Sequence, residues 1–170
     1  MDTFFEQIIP IKKTGKTIAG IIGICLLAML LCFVIFLFSG YLGSLAFLLM
    51  AGILYGAFKL VCLFNIEYEY IVTNGTMDID KIINRSSRKR IASFELPIVS
   101  RLEKYNPSII SNINHKDVVF ACNQDESDAY LMVYQKEGKN AVYVVFAPND
   151  KMKSAIVKFL PKFIANSAFK

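Results

Sequence analysis

Charge is almost missing from the first third of this sequence. Between Thr17 and Phe64 the only charged residue is Lys59. A helical pair that is apolar on every face is stable in water only when a large protein surrounds it, and a chain of 170 residues is too small for that. This absence excludes an ordinary soluble helical pair and indicates segments that lie in a lipid bilayer.

The apolar stretch is long enough to cross a bilayer twice. A hydrocarbon core about 30 Å thick needs about 20 apolar residues per helix. The segment Phe38-Ser39-Gly40-Tyr41 interrupts the stretch near its middle and predicts a tight turn. We therefore predict a transmembrane helical hairpin with helices over 17–38 and 41–64. A cleaved signal peptide is excluded, because the run is too long for one and no small-x-small cleavage site follows it.

Basic residues precede the apolar stretch, and the turn at its middle has none. Lys12, Lys13 and Lys16 precede the first helix, and the turn between the helices carries no charge. The positive-inside rule places both termini in the cytoplasm of a cell-membrane protein. Lys59 lies near the end of the second helix, where a lysine can snorkel to the interface, so we interpret it as snorkelling rather than as a buried functional charge.

Residues 1–16 are predicted to form a cytoplasmic segment. Thr3-Phe4-Phe5-Glu6 fits the S/T-x-x-E capping box, and bulky apolar residues follow it until Pro10. The pattern fits a short interfacial helix on the inner leaflet and, equally, a frayed start of the chain.

Small residues recur at helix-packing spacing in both predicted helices. Gly52 and Gly56 form a GxxxG pair, and Ala19 and Gly23 repeat the same spacing. Such residues let helix backbones approach closely in lipid. They predict that the two helices pack against each other, and a seam between two copies of the chain, a homo-oligomer, is the alternative.

The sequence has few histidines, and the spacing of its cysteines does not indicate a catalytic or metal-binding site. His115 is the single histidine, Cys122 is the single cysteine outside the predicted helices, and no third group that would orient them is evident. The four cysteines match no metal-binding spacing, and a cytoplasmic location keeps thiols reduced. Asp125, Glu126 and Asp128 lack the spacing and the glycine of an EF-hand loop. We therefore predict no enzyme activity, no catalytic residue, no metal and no cofactor.

Residues 65–170 are predicted to be a small β domain. Alternation of apolar and polar residues over 66–72, followed by Asn74-Gly75, indicates a β-hairpin, since both turn residues tolerate positive φ. Further strands are predicted over 91–96, 118–122, 130–135 and 141–147, with a hairpin turn over 136–140. Residues 98–105 are either a strand or a helical turn, and residues 106–116 are predicted to be a loop.

The last predicted element is an amphipathic helix over about 150–163. Asn149 or Asp150 can cap it, and Pro161 is expected to kink or end it near Leu160. The sequence therefore predicts an α+β membrane protein with a transmembrane hairpin, about six or seven antiparallel strands and one C-terminal helix.

This order of elements has a precedent. The stretch EYEYIVTNGTMDIDKIINRSSRKRIASFELPIVSRLE is similar to bacterial members of the pleckstrin-homology (PH) class, and the whole chain resembles a family of uncharacterised bacterial two-span membrane proteins with a PH-like domain. The resemblance covers residues 67 to about 163. It implies a domain that binds lipids or proteins, and it transfers no catalytic residue.

A basic stretch from Asn84 to Arg90 is the best candidate binding site. Its cations are predicted to contact anionic headgroups of the inner leaflet; they are Arg85, Arg88, Lys89 and Arg90. A flexible, solvated connection between strands is the alternative. A protein partner at a strand edge is the second functional hypothesis, and a small subunit of an oligomeric transport or signalling complex is the third. Residues 65–170 carry 15 basic and 12 acidic side chains, which is too mild an excess to predict nucleic-acid binding.

Overall fold

A computed structural model describes residues 3–111, 113–123, 127–135, 138 and 140–169. The chain divides into two compact units. We call residues 12–66 and 83–87 the hairpin unit, and residues 1–11, 67–82 and 88–170 the sheet unit. Asp125 and Glu126 of the predicted acidic loop lie outside the described residues, as do Lys136, Glu137 and Lys139 of the predicted hairpin turn.

The hairpin unit contains two long helices, α1 (Gly15–Leu37) and α3 (Leu45–Cys62), joined by the short helix α2 (Ser39–Leu42). The side chain of Thr14 caps α1 by accepting a hydrogen bond from the Thr17 N–H. Both predicted helices are confirmed, but the predicted turn at Ser39-Gly40 is wrong. The chain reverses around Gly43, whose φ of +56° strains any residue with a side chain, so the second helix begins four residues later than predicted.

The two helices approach each other at small residues other than the predicted ones. Ala28 and Ala46 are the buried residues of α1 and α3, with 7% and 1% of their surface exposed. A Cβ atom added at Gly23, Gly52 or Gly56 would meet nothing within 4 Å. The seam inside the hairpin therefore does not use these three glycines, nor the exposed Ala19. The alternative, a seam between two copies, stays a prediction.

The first sheet of the sheet unit has the strand order β1-β2-β3-β4. Its strands are β1 (Phe4–Pro10), β2 (Ile66–Thr73), β3 (Thr76–Ile83) and β4 (Ser87–Glu95). Asn74 and Gly75, with φ of +47° and +89°, form the predicted turn between β2 and β3, which is confirmed.

Strand β1 replaces the interfacial helix expected near the N-terminus, so that prediction is wrong. It pairs antiparallel with β2, from Phe4 opposite Thr73 to Pro10 opposite Glu67. Phe5 and Ile9 pack against the core, whereas Phe4 and Ile8 are exposed, and this period of two is that of a strand. The first residues belong to the sheet, and the domain does not begin at residue 65 as predicted.

The second sheet has the order β5-β7-β8-β6. Its strands are β5 (Val99–Lys104), β6 (Val118–Phe120), β7 (Tyr130–Gln135) and β8 (Ala141–Phe146). The short strand β6 runs parallel to β8, so the expectation of antiparallel strands alone is wrong. The described residues contain eight strands rather than six or seven, since β1 was not predicted; β5 corresponds to residues 98–105, for which a strand was one of the two alternatives. Residues 106–116, predicted to be a loop, include the short helix α4 (Pro107–Ile110).

The largest core cluster combines buried side chains from both sheets and the C-terminal helices. Phe94 of β4 stacks on Tyr134 of β7, with ring centroids 4.1 Å apart. The helix α5 (Asp150–Val157) is capped by Asn149, which accepts a hydrogen bond from the Met152 N–H at 2.8 Å. It ends before Pro161, and a separate turn, α6 (Lys162–Ala165), follows. The predicted helix over 150–163 is therefore two helices, because proline cannot continue the first.

Candidate interaction surfaces

The predicted basic loop is mostly a strand. Only residues 84–86 form the turn between β3 and β4, where Asn84 and Arg85 have φ of +51° and +54°. Arg88, Lys89 and Arg90 lie on β4. A basic strand forms here because neighbouring strands of the same sheet supply carboxylates, which sequence reasoning assigned to no site.

Arg88 forms an ion pair with a buried carboxylate on β2. Its Nη1 donates to Glu69 Oε2 at 2.8 Å, and the Glu69 side chain is fully buried while that of Arg88 is 61% exposed. The other oxygen, Glu69 Oε1, has no hydrogen-bond partner among the described residues. Burial raises the pKa of Glu69. The neighbouring carboxyls of Glu6 and Asp80 raise it further, while the charge of Arg88 lowers it.

Arg90 bridges two carboxylates on β3. Its Nε donates to Asp80 Oδ1 at 2.8 Å, and its Nη1 lies 2.8 Å from Asp78 Oδ2. The hydrogen bond with Asp80 is the largest cause that raises the pKa of Arg90. Planar guanidinium groups suit such two-sided contacts, so Arg90 is held against the sheet.

These ion pairs weaken the prediction that the basic stretch contacts lipid headgroups. Arg88 and Arg90 are offset by acidic side chains, whereas Lys89 is exposed on β4. The sequence did contain a signal for the pairs. Acidic residues alternate along β2 and β3, and opposite charges on adjacent strands pair across a sheet.

A groove of about 380 Å³ runs along β5 beside α6. The residues that line it are Ser100, Arg101, Leu102, Glu103, Lys104, Phe163, Ile164 and Ser167. Leu102 and Ile164 are buried, whereas 71% of the Phe163 surface is exposed. Sequence reasoning did not assign this groove, because it depends on the break at Pro161 that redirects the end of the chain.

A second groove, of about 560 Å³, lies between α1 and α3. Its lining is apolar and includes Met29, Met50 and Leu54. Lys59 does not line it; its Nζ lies 5.5 Å from the centre of the Tyr55 ring. The lining of the groove also includes the thiols of Cys25 and Cys32 and, among the described residues, no charged side chain.

The residues considered for catalysis and metal binding lie in ordinary surroundings. Cys122 is buried in a small apolar cluster with Leu131 and Val145, and His115 is exposed in a 3-10 turn. The described part of the chain contains no group of three His, Cys, Asp or Glu side chains that could hold a metal ion. Asp128, from the acidic loop, is exposed.

Comparisons with known proteins relate the chain to a family, but not to a single protein. No curated protein and no solved structure matches the chain significantly. A sequence profile does match, and it extends over the hairpin and over β1 as well as the region of predicted resemblance. The profile is that of the family described as Bacterial PH-like domain (DUF6106) and it matches residues 1–166, so the chain belongs to this family, whose PH-like domain indicates a binding or regulatory module.

Proposed function

We propose that this protein is a membrane-anchored, non-enzymatic binding module. The helical hairpin fixes it in the cell membrane, and the PH-like sheet unit binds a protein partner on the cytoplasmic side. One observation carries the proposal: a pair of apolar helices takes the place of the turn between two neighbouring strands of the binding domain.

The exposure of the hairpin supports the anchor. Nearly all exposed large apolar side chains of the described residues lie between Ile18 and Leu63. Water-soluble monomers rarely expose contiguous apolar patches of more than a few hundred Å². A bilayer removes this surface from water, and both helices are long and apolar enough to cross one.

The pairing of β1 with β2 supports the placement of both termini on the same side of the membrane. Strand β1 precedes the two helices and β2 follows them, yet the two strands exchange hydrogen bonds along their whole length. Strands paired in one sheet must lie on the same side of a membrane, and two crossings between them satisfy this. The lysines before α1 then favour the cytoplasmic side.

A protein partner is favoured over lipid headgroups or nucleic acid. Clusters of four to eight unpaired basic residues are typical of sites for anionic lipid. Here Glu69, Asp78 and Asp80 offset Arg88 and Arg90. The sheet unit instead offers unpaired strand edges, which are surfaces suited to polypeptides.

Membrane extraction and a reporter fusion test the anchor and its sidedness. The full chain should stay in the membrane pellet at alkaline pH and leave it only with detergent. A reporter that is active only in the cytoplasm, fused after Lys170, should be active. Release by alkali alone, or activity only of an exported reporter, would contradict the proposal.

Headgroup contact through the predicted basic stretch is the second candidate. In nanodiscs of neutral or anionic lipid, hydrogen exchange of residues 83–89 should be the same if lipid plays no part. Protection that appears only with anionic lipid, and disappears in the Arg85→Ala/Lys89→Ala variant but not in Lys151→Ala, would favour lipid.

A monomeric chain in mild detergent would argue against the third candidate, a subunit of an oligomeric transport complex.

A further inference from the structure

Strand β5 is an outer strand whose second edge pairs with no other described strand. Its first edge pairs antiparallel with β7, and just beyond it the Tyr105 N–H donates to the Ala129 carbonyl at 2.9 Å. Backbone N–H groups of an antiparallel strand alternate in direction, so those of Leu102 and Lys104 point away from β7. An extended polypeptide can pair with this edge.

A groove beside that edge can receive side chains of such a polypeptide. Leu102 and Ile164 form a buried apolar floor, and Phe163 stands at the rim. Phe163 is the most exposed large apolar side chain of the described sheet unit. Aromatic side chains that become buried on binding are typical of the residues that dominate binding energy.

The charges around the groove favour an acidic occupant. Arg101 Nη2 pairs with Glu103 Oε2 at 2.8 Å and offsets the charge of the one carboxylate in the lining, while Glu103 Oε1 has no hydrogen-bond partner among the described residues. Lys104 adds a further positive charge to the lining, and α6 begins with Lys162. A carboxylate on the incoming chain would complement Lys104 and assist encounter.

We infer that β5 and the C-terminal segment around Phe163 form a docking site for an extended, acidic peptide segment of a partner protein, which adds to the sheet as a further strand. The inference rests on the proposed binding function and names its site and the chemistry of its partner. Backbone pairing gives affinity, a large apolar side chain packs on Phe163, and an Asp or Glu faces Lys104.

A peptide library tests the inference on the full chain in neutral-lipid nanodiscs. The probe is a pool of twelve-residue peptides that is random at every position. Peptides with one aromatic or large aliphatic residue flanked by Asp or Glu should be enriched. Their affinity should fall by at least about tenfold in Phe163→Ala, which removes the apolar contact. Lys104→Glu should select basic residues in place of acidic ones.

Proline at position 104 separates strand addition from simple charge attraction. Lys104→Ala removes the cation alone, whereas Lys104→Pro also removes the outward N–H and leaves the bonds to β7 intact. We expect the proline variant to bind several-fold more weakly than the alanine variant. Phe4→Ala, at a similarly exposed phenylalanine, and Lys151→Glu, at an exposed lysine of α5, are matched controls that should keep wild-type affinity.

Several results would overturn the inference. These are no enrichment of any peptide, equal binding to Phe163→Ala and Lys104→Pro, or binding that Phe4→Ala abolishes. Binding of the nanodisc-embedded chain to anionic vesicles through Phe163, without peptide binding, would assign the surface to lipid instead. None of these variants changes the hairpin helices, so membrane extraction should be the same for all of them. Failure of the docking site and failure of the anchor are therefore distinguishable.

Discussion

Arg88 on β4 holds the fully buried carboxylate of Glu69 on β2 at 2.8 Å, across the intervening strand β3. Arg88→Ala leaves that carboxylate buried without its cation and should lower the free energy of unfolding by about 1–3 kcal/mol. Chemical denaturation of the full chain in detergent measures this. Lys89→Ala, at the exposed neighbour, should change stability by no more than about 0.5 kcal/mol.

An apolar double variant checks the origin of that loss. Replacing both partners by apolar residues, Glu69→Leu with Arg88→Met, removes the buried charge together with its partner. Such replacements are often neutral or stabilising. Stability of the double variant as low as that of Arg88→Ala would show that packing around Arg88, not the charge of Glu69, accounts for the effect.

Glu69 should also make stability depend on pH in a direction unusual for a carboxylate. Its pKa in the folded protein lies above the ordinary value of 4.5, chiefly through burial, with Glu6 and Asp80 adding to the rise and Arg88 opposing it. The folded state therefore binds more protons than the unfolded state above pH 4.5. The stabilisation is fully present below that pH and is lost as the pH rises through the folded pKa.

The matched comparison is Glu69→Gln, which removes the titrating group but keeps its shape. Free energies of unfolding of the two proteins are measured across the acid range. The wild type should lose stability relative to Glu69→Gln as the pH rises from 4.5. A difference that stays constant, or that grows in favour of the wild type, would show that the pKa of Glu69 is not raised.

Local sequence patterns predicted the elements of this fold that depend only on neighbouring residues. The alternation along β2, the turn at Asn74-Gly75 and the cap at Asn149 each depend on a few adjacent residues, and all three are present. The capping box at Thr3 failed because the partner of β1 lies more than fifty residues away, beyond the hairpin. No local pattern reports a strand whose partner is that distant.

The candidate sites were predicted less well for the same reason. Arg88 and Arg90 were correctly singled out as basic, but their ion pairs depend on the order of strands in the sheet. The groove on β5 depends on where the chain goes after Pro161. Both are relationships between distant segments, which charge counting along one sequence does not reveal.

Gly75 should tolerate alanine poorly, for two separable reasons. Its φ of +89° disfavours any residue with a Cβ atom, and an added Cβ would lie 3.1 Å from Cδ1 of Phe159. Gly138 also has positive φ, at +70°, but a Cβ there would meet nothing within 4 Å. Gly138→Ala should cost about 1 kcal/mol from backbone strain alone, and Gly75→Ala distinctly more. Equal costs would show that the Phe159 ring moves aside freely.

The seam of the hairpin predicts which small residues resist enlargement. Ala46 is 1% exposed against α1, so Ala46→Leu should force the helices apart at a cost of about 1–3 kcal/mol. Gly52→Leu should leave the stability of a single chain nearly unchanged, because an added Cβ meets nothing within 4 Å. Thermal unfolding in detergent and crosslinking in nanodiscs report the two effects. Loss of a crosslinked dimer in Gly52→Leu alone would support a seam between copies.

Replacing the hairpin by a short turn should yield a water-soluble sheet unit. Pro10 and Glu67 are opposite each other at the end of the β1–β2 pair, so the chain between them can close through a two-residue Asn-Gly turn. This variant keeps β1, and we expect it to stay monomeric in plain buffer with a cooperative unfolding transition. A fragment that begins at residue 65 lacks β1, exposes the edge of β2 and uncovers the core beside Phe5 and Ile9, so it should aggregate. Size-exclusion chromatography of the two proteins decides the matter: equal solubility would mean that β1 contributes little to the sheet, and aggregation of both would mean that the sheet unit needs the membrane hairpin to fold.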